Sequence, residues 1–463
     1  MEDLTQGSIA RQLASLSVPI CAGMVFQALY FLVDLYFVAH IGEAAIAGVS
    51  AAGTIIFVVL ALTQVLGTGT VTLTSHAAGR QDRAMANLVF NQSILLATCC
   101  SMLTLIAGYL TTASYMRAVA ADPAAAIAGA AYLYWYLPGL ALQFALVSMG
   151  SALRATGIVR PAMTTQILTV LLNVILAPLL IAGWGTHHPL GVAGAGLATT
   201  ISLAFGVVLM WIYFARLEKY VIFDPKLWRA HPEIIKRLLN VGLPAGGEFL
   251  LMFAILTVMY WAIRGFGPAA QAGFGIGARV TQALFLPPMA ISFSASAIAG
   301  QNFGAGKMGR VKETFRTAAI LSSIYMLGAT LLCQSRPHVL AGAFTHDVSV
   351  TAICTEYLRI ISWNFPAAGL IFVCSSLFQA LGYTWPSLLS SGSRLITFVL
   401  PVIWLSKGRH FELRQLWILS VATIAAQAVI SLVLLQGQFR RRLVAVANTH
   451  SLRAPPEAAR SAD

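Results

Sequence analysis

The feature that most constrains this chain is a series of long stretches made almost wholly of apolar residues. In the first half they run from Val18 to Ala39, Ala44 to Ser75, Leu88 to Tyr115, Ala124 to Leu153, Pro161 to Trp184 and Gly191 to Ala215. In the second half they run from Val241 to Ile263, Gly267 to Ala299, Ala318 to Gln334, Ile360 to Leu381, Trp385 to Leu405 and Leu416 to Gly437. A helix crosses the roughly 30 Å hydrocarbon layer in about 20 residues, so these read as twelve transmembrane helices. Strands of a membrane barrel alternate over about ten residues, and these stretches are continuously apolar. With 58% hydrophobic and 10% charged residues and a mean hydropathy of +0.79, the chain cannot cover itself with an ordinary water-facing surface.

The two halves repeat. A shift of 225 positions lays Val18-Pro19 on Leu243-Pro244, Gly42 on Gly267, Ala47-Gly48 on Ala272-Gly273, Gly79 on Gly304 and Pro161 on Pro386. The matched residues are mostly Gly, Pro and Ala, which set turns and close approach, so the halves share a backbone plan more than a chemistry. Six spans return the chain to its starting side, which makes the halves parallel repeats about an axis along the membrane normal, a transporter-like plan. The expected organisation is an N-terminal six-helix lobe over 1–215, a cytoplasmic linker over 216–240, a C-terminal six-helix lobe over 241–440 and a disordered cytoplasmic tail over 441–463. The linker looks amphipathic and reads as a helix lying on the membrane face.

The loops after spans 2, 4, 6 and 8 are the basic ones, with Arg80, Arg83, Arg154, Arg160, Lys219, Arg237, Lys307 and Lys312 among them. By the positive-inside rule both termini are cytoplasmic. The net charge of +13 therefore reports topology; the basic residues lie beside apolar spans and form no basic domain, so nucleic acid is not an expected partner. The first residues have no cleavable apolar core, so no signal peptide is read. The six cysteines lie at irregular spacing, mostly within spans, and His187-His188 lacks nearby ligands, so neither a disulfide framework nor a metal site is expected.

Ionisable residues within the spans are few: Asp34, Glu248, Arg279 and Arg394. Such a group costs about 2.5 to 3.5 kcal/mol at a helix centre on insertion scales and marks a function by default. Under the repeat Asp34 falls on Met259, Glu248 on Gly23 and Arg279 on Thr54, so the shared backbone requires none of these charges. Asp34 reads as a proton-coupling carboxylate, against the plainer role of hydrogen-bond partner to Tyr30 or Tyr36. Glu248, four residues after Pro244, is a candidate for substrate or proton binding, or for a pair with Arg279. Asn173 is the neutral polar candidate. Tyr36, Met252, Met259 and Trp261 are candidate cleft-lining residues, with core or lipid contact as the alternative for each.

At this point the residues resemble a family. Asp34 in LVDLYFVAHIG, ALRATGIVRP at the end of span 4, Asn173 in NVILAPLLIAGW and AGQNFGAGK after span 8 resemble the multidrug and toxic compound extrusion (MATE) transporters over residues 10 to 440. The resemblance implies two six-helix lobes around a V-shaped cleft and export of cationic or amphipathic small molecules in exchange for H⁺ or Na⁺. It also implies cation coupling at Asp34 and Asn173. Many relatives carry a second Asp or Asn where this chain has Ala177, and Na⁺-coupled relatives can carry an Asp in span 10 where none lies near Leu370. A Na⁺ site wants several oxygen ligands, so the expected coupling ion is H⁺, with Na⁺ second and no other cofactor. The resemblance to bacterial relatives places the chain in the inner membrane, and a monomer is expected.

The rival reading is a flippase for a lipid-linked precursor, which would want a more cationic cleft than Arg279 and Arg394 supply. A membrane enzyme is not expected: there is no HExxH, GxSxG or phosphate loop.

Overall fold

The computed structural model describes the chain except Ala121 and residues 185–186, 409–410 and 452–463; within helices, the side chains of residues 30–35, 39 and 441–451 also lie outside the description. The first half forms α1 (Ile9–Ala39), α2 (Glu43–Gly79), α3 (Arg83–Val119), α4 (Pro123–Ala155), α5 (Arg160–Ile181) and α6 (Val192–Arg216). The second forms α7 (Pro232–Ile263), α8 (Pro268–Gly304), α9 (Met308–Ser335), a short α10 (Pro337–Gly342), α11 (Val348–Ile361), α12 (Phe365–Ala380), α13 (Trp385–Leu405) and α14 (Leu413–Ser451). Twelve of these segments are long and apolar enough to cross a membrane, α11 and α12 together making one span, Val348–Ala380. Helices are required because lipid offers backbone N–H and C=O groups no partner. Side chains of Asp82 and Asp122 cap α3 and α4 at Met85 N and Ala125 N, 2.9 and 2.8 Å away.

The packing obeys the repeat. α1 against α8 has its counterpart in α7 against α2; α1–α5 matches α7–α13, α4–α6 matches α12–α14, and α5–α6 matches α13–α14. The starts of the two repeats cross over. Leu4, Ile9, Leu13 and Leu16 are buried among Ile298, Met308, Val373 and Leu377 of the second half, while Ile234 and Leu238 are buried with Val89 of the first. Packing units and sequence halves therefore part company at the first turns of α1 and α7, because each helix starts against the opposite set.

α2 and α8 are both 37 residues long, about 55 Å at 1.5 Å per residue, so they outreach the hydrocarbon layer. Their last turns meet each other. A Cβ on Gly79 would overlap the Gln301 backbone and one on Gly304 the His76 backbone. His76 and Gln301 are themselves repeat equivalents, 225 residues apart. His76 Nε2 donates to Ala380 O at 2.6 Å and Gln301 Nε2 to Ala155 O at 2.8 Å, and Ala155 and Ala380 are equivalents too. The contact is a pseudo-twofold one. Every described hydrogen bond between the two sets of helices lies at this end, where the basic loops also gather. Further along, Phe57 of α2 meets Phe253 of α7 with centroids 4.4 Å apart.

The segment between α6 and α7 is not a long surface helix. Apart from a 3-10 turn at Pro225–Trp228 it is irregular backbone, held by an amide ladder on α3. Asn87 Nδ2 donates to Tyr220 O and its Oδ1 accepts Ile222 N; Asn91 Nδ2 donates to Ile222 O and its Oδ1 accepts Asp224 N and Trp228 Nε1. Gln92 Nε2 donates to Leu227 O and Arg229 O while its Oε1 accepts His231 N. Backbone groups that a surface helix would pair internally are paired by α3 side chains instead. α7 starts at Pro232, inside the stretch expected as linker, and α14 continues to Ser451, past the expected start of a disordered tail.

Candidate functional site

In the N-terminal half, α5 turns a stripe of Thr165, Thr169, Asn173 and Ala177 inward at a four-residue spacing. Asn173 is wholly buried, and neither its amide nitrogen nor its oxygen has a hydrogen-bond partner among the described residues. Helix α1 runs beside α5, with Gly23 against Gln166. Asp34 lies on α1, and its side chain is outside the described residues. A buried amide with both ends open is costly, about 1 to 3 kcal/mol for each lost partner, and is the kind of group that coordinates something.

In the C-terminal half the site is fully drawn. Pro244 interrupts the α7 hydrogen-bond ladder one turn before Glu248. Ser387 and Ser391 share a face of α13 at i and i+4, and Ser375 approaches from α12. Glu248 Oε2 accepts from Ser375 Oγ at 2.8 Å and Ser387 Oγ at 2.6 Å; Oε1 accepts from Ser391 Oγ at 3.3 Å. Ser375 and Ser387 touch each other at 2.8 Å. Gln427 Nε2 on α14 donates to Ser391 Oγ at 3.2 Å, and Ser390 ties α13 to α14 through Ser431 Oγ at 2.7 Å and the backbone Gln427 O at 3.3 Å. Serines of α12 and α13 thus converge on the α7 carboxyl group, and α14 supports them through Ser391.

The expected alternative for Glu248, a pair with Arg279, is not made: Glu248 bonds to serines and takes part in no ion pair among the described residues. Arg279 is exposed on α8. Arg394 follows Ser391 by three residues on the same face of α13, and its Nε is buried without a partner. The four apolar candidates separate. Met252, one turn beyond Glu248, is 49% exposed, and Tyr36 is 60% exposed beside Phe37 and His40. Trp261 shares the exposed apolar face of Leu243 and Leu250 and lies over the Arg264 guanidinium. Met259 is 6% exposed in the core with Ile255, Phe274 and Trp417, so it packs rather than lines.

The serines were missed because hydroxyls are common in membrane helices and only one neighbour, Glu248, makes these three a set. The available signal was Ser387-x-x-x-Ser391, which puts two hydroxyls on one helix face.

Comparison with known proteins agrees with this architecture. The MatE family matches residues 19–179 and again 244–405, two copies offset by the repeat. The chain is 26% identical over 384 residues to the probable multidrug resistance protein YpnP of Bacillus subtilis (strain 168), covering 82% of this chain and 84% of that one. It is 25% identical over 415 residues to an FAD transporter of Shewanella oneidensis, covering 86% and 88%. Among solved structures, the outward-facing conformation of a multidrug resistance MATE family transporter of the MOP superfamily superposes with a TM-score of 0.88 at 22% identity, covering 95% of this chain and 98% of that one. With both copies matched in register and the twelve-span fold shared, the chain belongs to the MatE family of multi-pass membrane transporters.

Proposed function

We propose that the protein is a proton-coupled exporter of cationic or amphipathic small molecules, working by alternating access as a monomer in a bacterial inner membrane with both termini cytoplasmic. Relatives named for multidrug export support the substrate class, and the loops gathered at the end where the lobes touch support the orientation.

The observation that carries the coupling ion is a count of protons at Glu248. Ser375 Oγ, Ser387 Oγ and Glu248 Oε2 form a triangle with edges of 2.8, 2.8 and 2.6 Å. With both hydroxyls donating to Oε2 the Ser375–Ser387 edge has no proton; with Glu248 protonated the three bonds run instead as a ring, from Glu248 Oε2 to one serine, from that serine to the other, and from the second back to Oε2. The site is complete when Glu248 is neutral, and loss of that proton leaves a carboxylate in a hydroxyl-lined, low-dielectric site. Exchange of a proton there, together with one at Asp34 on α1, the helix that packs on α5, gives the two lobes a charge change that biases their packing. Arg279, exposed on α8, with Tyr36 and Met252, supplies the surface that substrate meets.

The test is efflux of a fluorescent cation from proteoliposomes under an imposed pH or Na⁺ gradient. Transport driven by the pH gradient, lost in Asp34→Asn and in Glu248→Gln, is the expected result. Na⁺-driven export that persists without a pH gradient contradicts it.

A further inference from the structure

The loop signatures ALRATGIVRP and AGQNFGAGK sit on opposite lobes, and both grip one object, the segment Met1–Ser8 that precedes α1. From the first lobe, Thr156 O accepts Glu2 N at 2.8 Å, and Gly157, at φ +80°, leaves room for Glu2, whose Cβ would lie 2.9 Å from any Cβ placed there. From the second, Gln301 Oε1 accepts Leu4 N at 3.0 Å, Asn302 Nδ2 donates to Leu4 O at 3.0 Å, and Lys307 Nζ donates to Thr5 O and Thr5 Oγ1, each at 3.0 Å. Arg310 Nε, bonded to Asn302 Oδ1 at 2.9 Å, orients that amide. Leu4, 2% exposed, is the segment's one buried apolar side chain, in the same core cluster as Ile298 and Met308.

Gln301 is the crossing point. Its Nε2 bonds the opposite lobe at Ala155 O while its Oε1 bonds the strap at Leu4 N, so the strap sets the orientation of the amide that closes the interface. The equivalent place in the second repeat is occupied differently. Leu4 falls on Arg229 under the shift of 225, and Arg229 O is taken by Gln92 of α3. The strap therefore breaks the twofold symmetry of an otherwise symmetric contact.

We propose that Met1–Ser8 is a latch that holds the two lobes together at the basic-loop end, and that this end opens only after the latch leaves Gln301, Asn302 and Lys307. The segment suits repeated release. One leucine is its only buried apolar side chain, and the rest, with Asp3 and Gln6 bonded to each other, is polar enough to be solvated. The inference needs no assumption about the coupling ion or the substrate.

The test uses the full chain in nanodiscs, with nitroxide-bearing unnatural side chains at the exposed positions Arg80 and Lys312, one on each lobe, and pulsed spin-resonance distances without substrate. In Leu4→Pro, which removes the N–H donor, and in Lys307→Met, the long-distance population rises roughly tenfold over the unsubstituted chain, as expected for loss of charge-assisted or buried hydrogen bonds from one of two states. Lys307→Arg keeps the original distribution. Distances unchanged in folded Leu4→Pro and Lys307→Met overturn the latch. If Leu4→Pro does not fold, Lys307→Met against Lys307→Arg decides. Transport is not read, so this outcome is separate from that of the efflux experiment.

Discussion

His76 and Gln301, 225 residues apart and equivalent in the two repeats, make the same hydrogen bond in opposite directions across the lobe interface, to Ala380 O and Ala155 O. A duplicated chain that closes on a pseudo-twofold axis must use each contact twice, and here the two copies use different side chains for it. Replacing either by Leu leaves a buried carbonyl unpaired, at about 1 to 3 kcal/mol, and shifts the lobes toward separation by roughly tenfold. Gln301→Leu has the larger effect, because Gln301 also holds Leu4. Interlobe spin-label distances check both.

Gly79 and Gly304 permit the close approach of α2 and α8 at their last turns. An alanine methyl at either would overlap backbone of the facing helix, and backbone cannot step aside as a side chain can. Gly79→Ala and Gly304→Ala are expected to insert and fold but to lose about 1 to 3 kcal/mol of lobe contact by overpacking. A cysteine placed at Ser75, buried in the unsubstituted chain, then reacts faster with a maleimide.

Glu248→Gln keeps the shape of the hydroxyl triangle and removes the titrating proton, so efflux driven by the imposed pH gradient is lost while expression is retained. Ser387→Ala removes one edge of the triangle and lowers efflux partially. Gln427→Leu acts one step further out, through Ser391, and is the mildest of the three. Initial efflux rates across an external pH series rank them.

The latch carries its own pH dependence. A hydrogen bond from the Thr5 hydroxyl, with the backbone N–H of Thr5 and the positive charge of Lys307 adding to it, holds the Asp3 carboxylate below its usual range. A depressed folded-state value means its contribution is fully present above the ordinary carboxylate pKa and is lost as pH falls through the lowered one. Lobe separation therefore increases on acidification below the ordinary carboxylate range, and Asp3→Asn flattens that response in the same distance measurement.

Asn91 serves three linker groups: Ile222 O, Asp224 N and Trp228 Nε1. Asn91→Leu strips all three and is expected to cost about 2 to 4 kcal/mol, seen as a lowered thermal midpoint in detergent. Retention of the midpoint would show that water replaces the ladder without loss.

The twelve spans, their helical nature and the duplication were legible in the chain because each is a one-dimensional property: apolar length, continuity, and Gly and Pro recurring at one offset. Asp34, Glu248 and Asn173 were legible as candidates because polar groups in such stretches are rare. What surrounds them was not. Ser375, Ser387 and Ser391 meet Glu248 across gaps of 127 to 143 residues, Gln427 reaches Ser391 from α14, and only the packing of α7, α12, α13 and α14 makes hydroxyls from separate helices into one proton-counting site. The surface helix read into the linker failed for a related reason: amphipathic composition is the same whether backbone groups pair with one another or, as here, with Asn87, Asn91 and Gln92. The duplication was set by the sequence alone, since a repeated pattern of small residues permits the same close contacts twice. That those contacts close at one end, and that Met1–Ser8 is clasped between them, was decided by tertiary structure, because hydrogen bonds between distant segments are satisfied only after the helices have been brought together.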